Sequence, residues 1–188
     1  MKSIEKKLMC QNSKFNIYFE HVVDEVNKLE VKDFLVVEPK LQNVGGISGV
    51  ALLPISGDQV GLIRMYRPPI RGWSWEIPHG FIDLGETELE AAKRELPEET
   101  GLAPLSISTL GVVAPDAGVI DGRVRLFVCV VDNNITPENL KIEVGLGALT
   151  WVDFKNFEHM IRHSEIQDSF TISAWCKYKL KMNNDEQD

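Results

Sequence analysis

The segment Gly80–Leu102 constrains this chain more than any other stretch, because it carries signals for both ends of a helix and a cluster of like charges within it. Thr87 can cap the helix, and Glu90 three residues on completes a capping box, in which side chain and backbone satisfy each other's orphan amides. Gly101 suits the position just past the end, where glycine takes a left-handed backbone at least cost. The predicted helix therefore runs from Thr87 to Thr100. Leu89, Ala92 and Leu96 recur at i, i+3 and i+7 and are expected to form a narrow apolar stripe against a core. Glu95, Glu98 and Glu99 fall at i, i+3 and i+4 and share another face. Like charges at that spacing repel by roughly a few tenths of a kcal/mol per pair. A cation would remove that penalty, and hard divalent ions such as Mg²⁺ prefer oxygen ligands. The bland alternative is a solvated acidic face.

The segment also contains Pro97, deep in the predicted helix. Proline removes the amide that would bond the Lys93 carbonyl and clashes there, at about 3 kcal/mol in a regular helix. Either the helix tolerates this defect, or its last turn is bent around Pro97 and the bend aims Glu98 and Glu99 at one ion. The bent turn is the expectation.

The rest of the chain supplies strands on both sides. Residues 15–38 alternate well enough for one or two strands, clearest at Phe34-Leu35-Val36-Val37. Gly45–Pro54 and Val60–Arg67 read as strands joined by the turn Ser56-Gly57-Asp58. A short strand Trp73–Ile77 is followed by a loop at Pro78-His79-Gly80. Leu105–Ala114, Val124–Val131 and Leu149–Val152 read as further strands, and Phe154–His163 and Ser169–Lys181 as helices. The pattern predicts an α/β fold, a mixed β-sheet sandwiched between α-helices. An N-terminal strand annex over residues 1–45 would precede a main domain over 46–182, and a polar, disordered tail would occupy 183–188.

Composition removes several function classes. Twenty basic against 28 acidic residues give a net charge of −8, and no basic stripe of the kind that grips nucleic acid stands out. No apolar run approaches the roughly 20 residues of a membrane helix, and the charged start resembles no secretory signal. Cys10, Cys129 and Cys176 are odd in number and far apart, which fits reduced thiols and a cytoplasmic protein better than a disulfide framework.

Taken together, Gly80, Glu86, Arg94, Glu95, Leu96, Glu98, Glu99, Gly101 and Leu102 fill every defining position of the Nudix box. The chain resembles Nudix hydrolases through this box, and the surrounding strand pattern is compatible across most of its length. The resemblance implies the Nudix fold and metal-dependent hydrolysis of a pyrophosphate, with Mg²⁺ as cofactor and Mn²⁺ able to substitute. It implies that Glu95, Glu98 and Glu99 bind the metal, with the backbone carbonyl of His79 as an added ligand. Arg94 would hold a glutamate in place by charge-assisted hydrogen bonds, and Glu86 would support the loop. Glu98 is also the box residue expected to act in catalysis.

The flanks narrow the resemblance. Tyr66-Arg67 and Trp75-Glu76-Ile77-Pro78-His79-Gly80 are similar to a signature of ADP-ribose and ADP-sugar pyrophosphatases, as are Pro115 and the segments Asp121–Phe127 and Glu165–Thr171. His79 stands where that signature has alanine. Arg67 and Arg71 are candidates for the substrate's phosphates or terminal sugar, against the alternative of surface arginine. Trp73, Trp75 and Ile77 would point one way on a strand; Trp75 is the candidate base-stacking residue, against a core role. Glu76 could act through water on a metal or simply hold its loop. The general base in such enzymes often precedes the last strand, where Glu143 stands, with Glu138, Asp116 and Asp121 as competitors. The expected substrate is ADP-ribose or a related nucleotide sugar. Rival readings are a dinucleoside polyphosphate or an oxidised nucleotide as substrate, and a Nudix domain that senses a nucleotide sugar without cutting it. Enzymes of this type are commonly dimers, so a homodimer built through the N-terminal strands is expected.

Overall fold

The structure, a computed structural model, describes residues 1–134 and 144–185 and divides into two compact units. The first comprises residues 1–48 and 114–123. Its three antiparallel strands β1 (Lys2–Gln11), β2 (Phe15–Asp24) and β3 (Leu29–Pro39) pair in the order β1-β2-β3. The connection over 114–123 joins this unit through β3, where the Val37 amide donates to Val119 O at 2.8 Å and the Asp121 amide to Val37 O at 2.9 Å.

β1 was not foreseen. Every one of its residues is exposed, so it needs no alternation of apolar and polar positions and carries none that a sequence pattern could register. The β2–β3 turn places Lys28 at φ 57°, a left-handed conformation uncommon outside glycine, asparagine and aspartate.

The second unit holds residues 49–113 and 124–185 of the described chain. Its seven-stranded sheet runs β10-β5-β4-β9-β8, with β6 added to β5 and β7 to β4. The strands are β4 (Ile47–Ser56), β5 (Gln59–Arg67), β6 (Gly72–Glu76), β7 (His79–Phe81), β8 (Pro104–Val113), β9 (Arg123–Val131) and β10 (Leu146–Asp153). Three helices complete it: α1 (Glu88–Thr100), α2 (Phe154–Arg162) and α3 (Ser169–Asp185). β4 is buried from Ile47 to Ile55, the near-continuous apolar run expected of a strand covered on both faces. Ala51, Leu53, Val60, Leu62, Ile77, Leu126, Phe157, Ile166 and Trp175 belong to one core cluster. Phe157 is fully buried there, worth about 1.5–3 kcal/mol by its burial alone.

The chemistry depends on where β5, β6 and β7 end. β5 and β6 form a hairpin in which Ile63 pairs with Glu76 and Arg67 with Gly72, closed by a 3₁₀ turn at Pro68–Ile70. β7, where the sequence predicts a loop, pairs with β4 through Ala51–His79, Val50–Gly80 and Gly49–Phe81. Pairing is so close that a Cβ on Gly49 would lie 2.7 Å from Gly80 O, so glycine is required there.

Helix α1 has the foreseen ends. Glu90 N donates to Thr87 Oγ1 at 3.2 Å, and Thr87 N donates to Glu90 Oε2 at 2.8 Å, the reciprocal bonds of a capping box. Gly101 takes φ 71° and donates to Pro97 O. The buried face differs from the expected stripe. Leu89 is 44% exposed, and the residues turned inward are Ala91, Ala92, Glu95, Leu96, Glu99 and Thr100. A count of apolar residues misses this face because two of its members are glutamates. The helix continues as α-helix through Pro97, and the Gly101 amide reaches Pro97 O at 2.8 Å with ordinary i to i−4 spacing. Lys93, whose carbonyl the proline deprives of a partner, is on the exposed side, where water can serve instead. α3 continues to Asp185, past the expected end at Lys181 and into the expected tail; residues 186–188 lie outside the described chain.

Candidate active site

Arg94 is the hub of the site. Its Nε and Nη2 donate to the two oxygens of Glu86, each at 2.8 Å, in a bidentate fork. Its Nη1 donates to Glu95 Oε1 at 2.7 Å and stands 3.5 Å from Glu98, while Nη2 also donates to Phe81 O at 2.9 Å. One side chain thus fixes the loop before the helix, the end of β7 and the first glutamate of the helix. Electrostatics follow the geometry. The hydrogen bond to Glu86, with Glu95 behind it, pushes Arg94 further above its ordinary value. In return Arg94 holds the Glu86 carboxyl below 4.5.

Glu95 and Glu99 sit on the inner face of α1, only 8% and 4% exposed. The Glu95 carboxylate lies directly over Gly80; a Cβ there would overlap it and displace a carboxylate that Arg94 holds. Glu99 Oε2 accepts the His79 backbone amide at 3.0 Å, tying the far end of the helix to β7. Glu98 is the open member of the trio, with 30% of its side chain exposed. Among the described residues no group of three or more histidine, cysteine, aspartate or glutamate side chains is drawn into one coordination shell. The donor chemistry nevertheless fits a hard divalent cation. All the donors are oxygens, two carboxylates are buried, and the single Arg94 guanidinium faces Asp83, Glu86, Glu95 and Glu98 within 4 Å.

A second polar cluster adjoins it on the β5–β6 hairpin. Arg67 Nε donates to both Glu76 oxygens at 3.1 Å, and its Nη2 to Glu76 Oε2 at 2.5 Å. Glu76 is 3% exposed, so this ion pair is largely desolvated on the carboxylate side. The same Nη2 lies 2.7 Å from His79 Nε2, and His79 Nδ1 lies 2.9 Å from Ile77 O. Of the two roles the sequence allows Glu76, metal contact through water or holding its loop, the contact with Arg67 fits the second. Thr171, fully buried, accepts the Ile77 amide at 3.0 Å and donates to Asp168 Oδ2 at 2.6 Å, anchoring the start of α3 to the end of β6. Thr171 and Asp168 were not singled out individually; the signal was the segment Glu165–Thr171, whose Asp-x-x-Thr spacing is that of a helix cap.

The remaining candidates lie as follows. Arg71 is exposed, takes φ 51°, and donates its amide to Pro68 O to close the 3₁₀ turn. Trp75 is partly buried against the core, with the Arg64 guanidinium 4.4 Å over its ring. Trp73 is 53% exposed and meets Tyr66 edge-on, whereas Ile77 is wholly buried, so the three do not share one environment. Asp116 and Asp121 are exposed and belong to the first unit. Glu143 and Glu138 lie outside the described residues.

The chain belongs to the Nudix family: residues 47–174 match the model of the NUDIX domain. Among curated proteins it is similar to an ADP-ribose pyrophosphatase of Saccharomyces cerevisiae, 38% identical over 103 residues that cover 52% of this chain and 44% of that protein. An ADP-ribose pyrophosphatase of Bacillus subtilis is 28% identical over 187 residues, 96% of each chain. The first relatives are matched over about half their length, from 40% to 60%. The crystal structure of an ADP compounds hydrolase superposes with a TM-score of 0.77 at 18% identity, covering 98% of this chain and 95% of the other, which establishes the fold. No helix among the described residues is long and apolar enough to cross a membrane.

Proposed function

We propose that the chain is a divalent-metal-dependent pyrophosphohydrolase acting on ADP-ribose or a related nucleotide sugar, and that it releases a nucleoside monophosphate and a sugar phosphate. The observation that carries this reading is the inner face of α1: two buried carboxylates, Glu95 and Glu99, held over Gly80 and against the His79 amide. Buried carboxylates of that kind are costly unless paired; Arg94 offsets Glu95, and a divalent cation would offset the repulsion among the three glutamates. Mg²⁺, or Mn²⁺ in its place, when bound supplies charge neutralisation for the bridging phosphates and a more acidic water. Glu95, Glu98, Glu99 and the His79 carbonyl would hold it.

The chain's own groups do the positioning. Arg94 holds the Glu95 carboxylate by a hydrogen bond from Nη1. Glu98, the most open of the three, is positioned to meet solvent or substrate and to take part in proton transfer. In the overall reaction a water oxygen bonds to one phosphorus and the bridging oxygen leaves with the other phosphate. Glu143 is proposed as the base that takes the water's proton. Arg67, Arg71 and Trp75 are proposed to bind the substrate, Arg67 through its guanidinium beside Glu76.

Residues 1–45 are proposed as a dimerisation annex. Ile4, Leu8, Met9, Phe19, Phe34 and Leu35 are all exposed on the three-stranded sheet, more apolar surface than an isolated small sheet needs. The composition supports a cytoplasmic protein acting on a small molecule rather than nucleic acid. A panel of nucleoside diphosphate derivatives assayed with Mg²⁺ tests the substrate. AMP and ribose 5-phosphate from ADP-ribose are expected. A wide preference for nucleoside triphosphates in kcat/KM would remove the nucleotide-sugar reading.

A further inference from the structure

The His79 side chain makes three contacts, with Ile77, Arg67 and Phe170. Its Nδ1 lies 2.9 Å from Ile77 O, and a neutral imidazole that donates there accepts at Nε2. Nε2 lies 2.7 Å from Arg67 Nη2, so the arginine donates to it. The Phe170 ring meets the imidazole edge-on, with centroids 5.3 Å apart, and keeps it from swinging away. Arg67 is therefore held at two places: by the Glu76 carboxylate across Nε and Nη2, and by the imidazole at Nη2. In this tautomer the ring adds a hold without adding a counter-charge. Among the described residues the hydrogen bonds of Arg67 run through Nε and Nη2, which leaves the Nη1 edge of a planar fork, and its side chain is 37% exposed. Burial opposes the charge on Arg67. The bond to Glu76, with the charges of Glu76, Asp168 and Glu99 behind it, outweighs that and keeps the group cationic.

We propose that His79 is a positioning residue: its ring pins the Arg67 guanidinium so that the Nη1 edge is presented to an anionic oxygen of the substrate, and so sets how tightly that oxygen is bound. The inference deepens the reading of Arg67 as a substrate-binding residue and rests on it. An arginine held by Glu76 alone could rotate its plane about the carboxylate. The third acceptor removes that freedom before substrate arrives, so less entropy is lost on binding.

The test is a double-substitution cycle on ADP-ribose hydrolysis in Mg²⁺, with each variant's folding verified by thermal melting. His79→Ala is expected to raise KM about tenfold while changing kcat less. His79→Gln, whose amide oxygen can accept from Arg67, should recover most of that loss. In an Arg67→Ala background, His79→Ala should add less than twofold, because the residue acts only through Arg67. Binding of inorganic pyrophosphate, measured by calorimetry, should follow the same cycle. If wild type fails to cleave ADP-ribose but pyrophosphate binding follows the cycle, the proposed substrate is wrong and the role of His79 stands. The proposal is overturned if the two substitutions multiply independently, if His79→Ala lowers kcat alone, if His79→Gln gives no rescue, or if pyrophosphate binding ignores both residues.

Discussion

Arg94→Ala is the perturbation with the most traceable consequence. It deletes two bonds to Glu86, one to Glu95 and one to Phe81 O. Charge-assisted hydrogen bonds contribute about 1.5–3 kcal/mol each, but these share one guanidinium and do not add. Arg94 itself is 27% exposed, so water can reach part of the vacated site. Glu95 is the costly remainder, because it stays buried after losing the Arg94 guanidinium. The expected loss is about 2–4 kcal/mol, at the lower end of what breaking a buried ion pair costs. It should also depend on pH in a defined direction. The folded pKa of Glu86 is depressed below 4.5 by Arg94, so the stability it contributes is fully present above 4.5 and is lost as pH falls through the lower folded value. Urea denaturation of wild type and variant at pH 7 and near pH 3 should show the difference narrowing in acid. Arg94→Lys should recover only part of it, since an ammonium cannot reproduce the fork. A loss under about 0.5 kcal/mol at neutral pH, or a difference that ignores pH, would refute the assignment of Arg94 as the brace.

Three other outcomes follow from the same geometry. Pro97→Ala should stabilise the protein by about 1–3 kcal/mol, because the helix is already regular on both sides of residue 97 and Lys93 O would regain a donor. That is a rise of several degrees in Tm, and an unchanged or lower Tm would mean that the last turn is built around the proline. Burial pushes the Cys129 thiol up to about 12, while Cys10 and Cys176 are exposed, so a thiol reagent at pH 8 should titrate two cysteines in the native protein and all three once it is unfolded. Light scattering at micromolar concentration should give the mass of a dimer, and a fully active monomer would count against the proposed role of residues 1–45.

The legible parts of the fold were those in which a local pattern and a buried surface agree. The capping box at Thr87, the glycine at 101 and the box spacing each act over a few residues, so α1 and its braced loop could be read directly. β1 could not, because a strand exposed along its whole length leaves no alternation to find. β7 is three residues long, follows a proline, and exists because β4 accepts it. The error at Leu89 has a chemical origin. The inner face of α1 is completed by Glu95 and Glu99, and a count that places glutamate outside rotates the helix away from its true burial. The Arg67–Glu76–His79 cluster was the least accessible. Its members were each singled out, but their contact depends on the hairpin register that sets Ile63 opposite Glu76 and on Phe170 from α3. No spacing along the chain encodes that meeting.

The central claim is that the carboxylates gathered on α1 serve a divalent cation used to cut a pyrophosphate, and Glu99 tests it most directly. ADP-ribose hydrolysis should be measured for wild type and Glu99→Gln in Mg²⁺, and for wild type in excess chelator. The account expects Glu99→Gln to lower kcat by at least about a hundredfold, which corresponds to about 2.7 kcal/mol of transition-state stabilisation. It also expects the chelated enzyme to be inactive, and Mg²⁺ to raise the Tm of wild type more than that of the variant. Full activity in chelator, or a Glu99→Gln variant as fast as wild type, would contradict it.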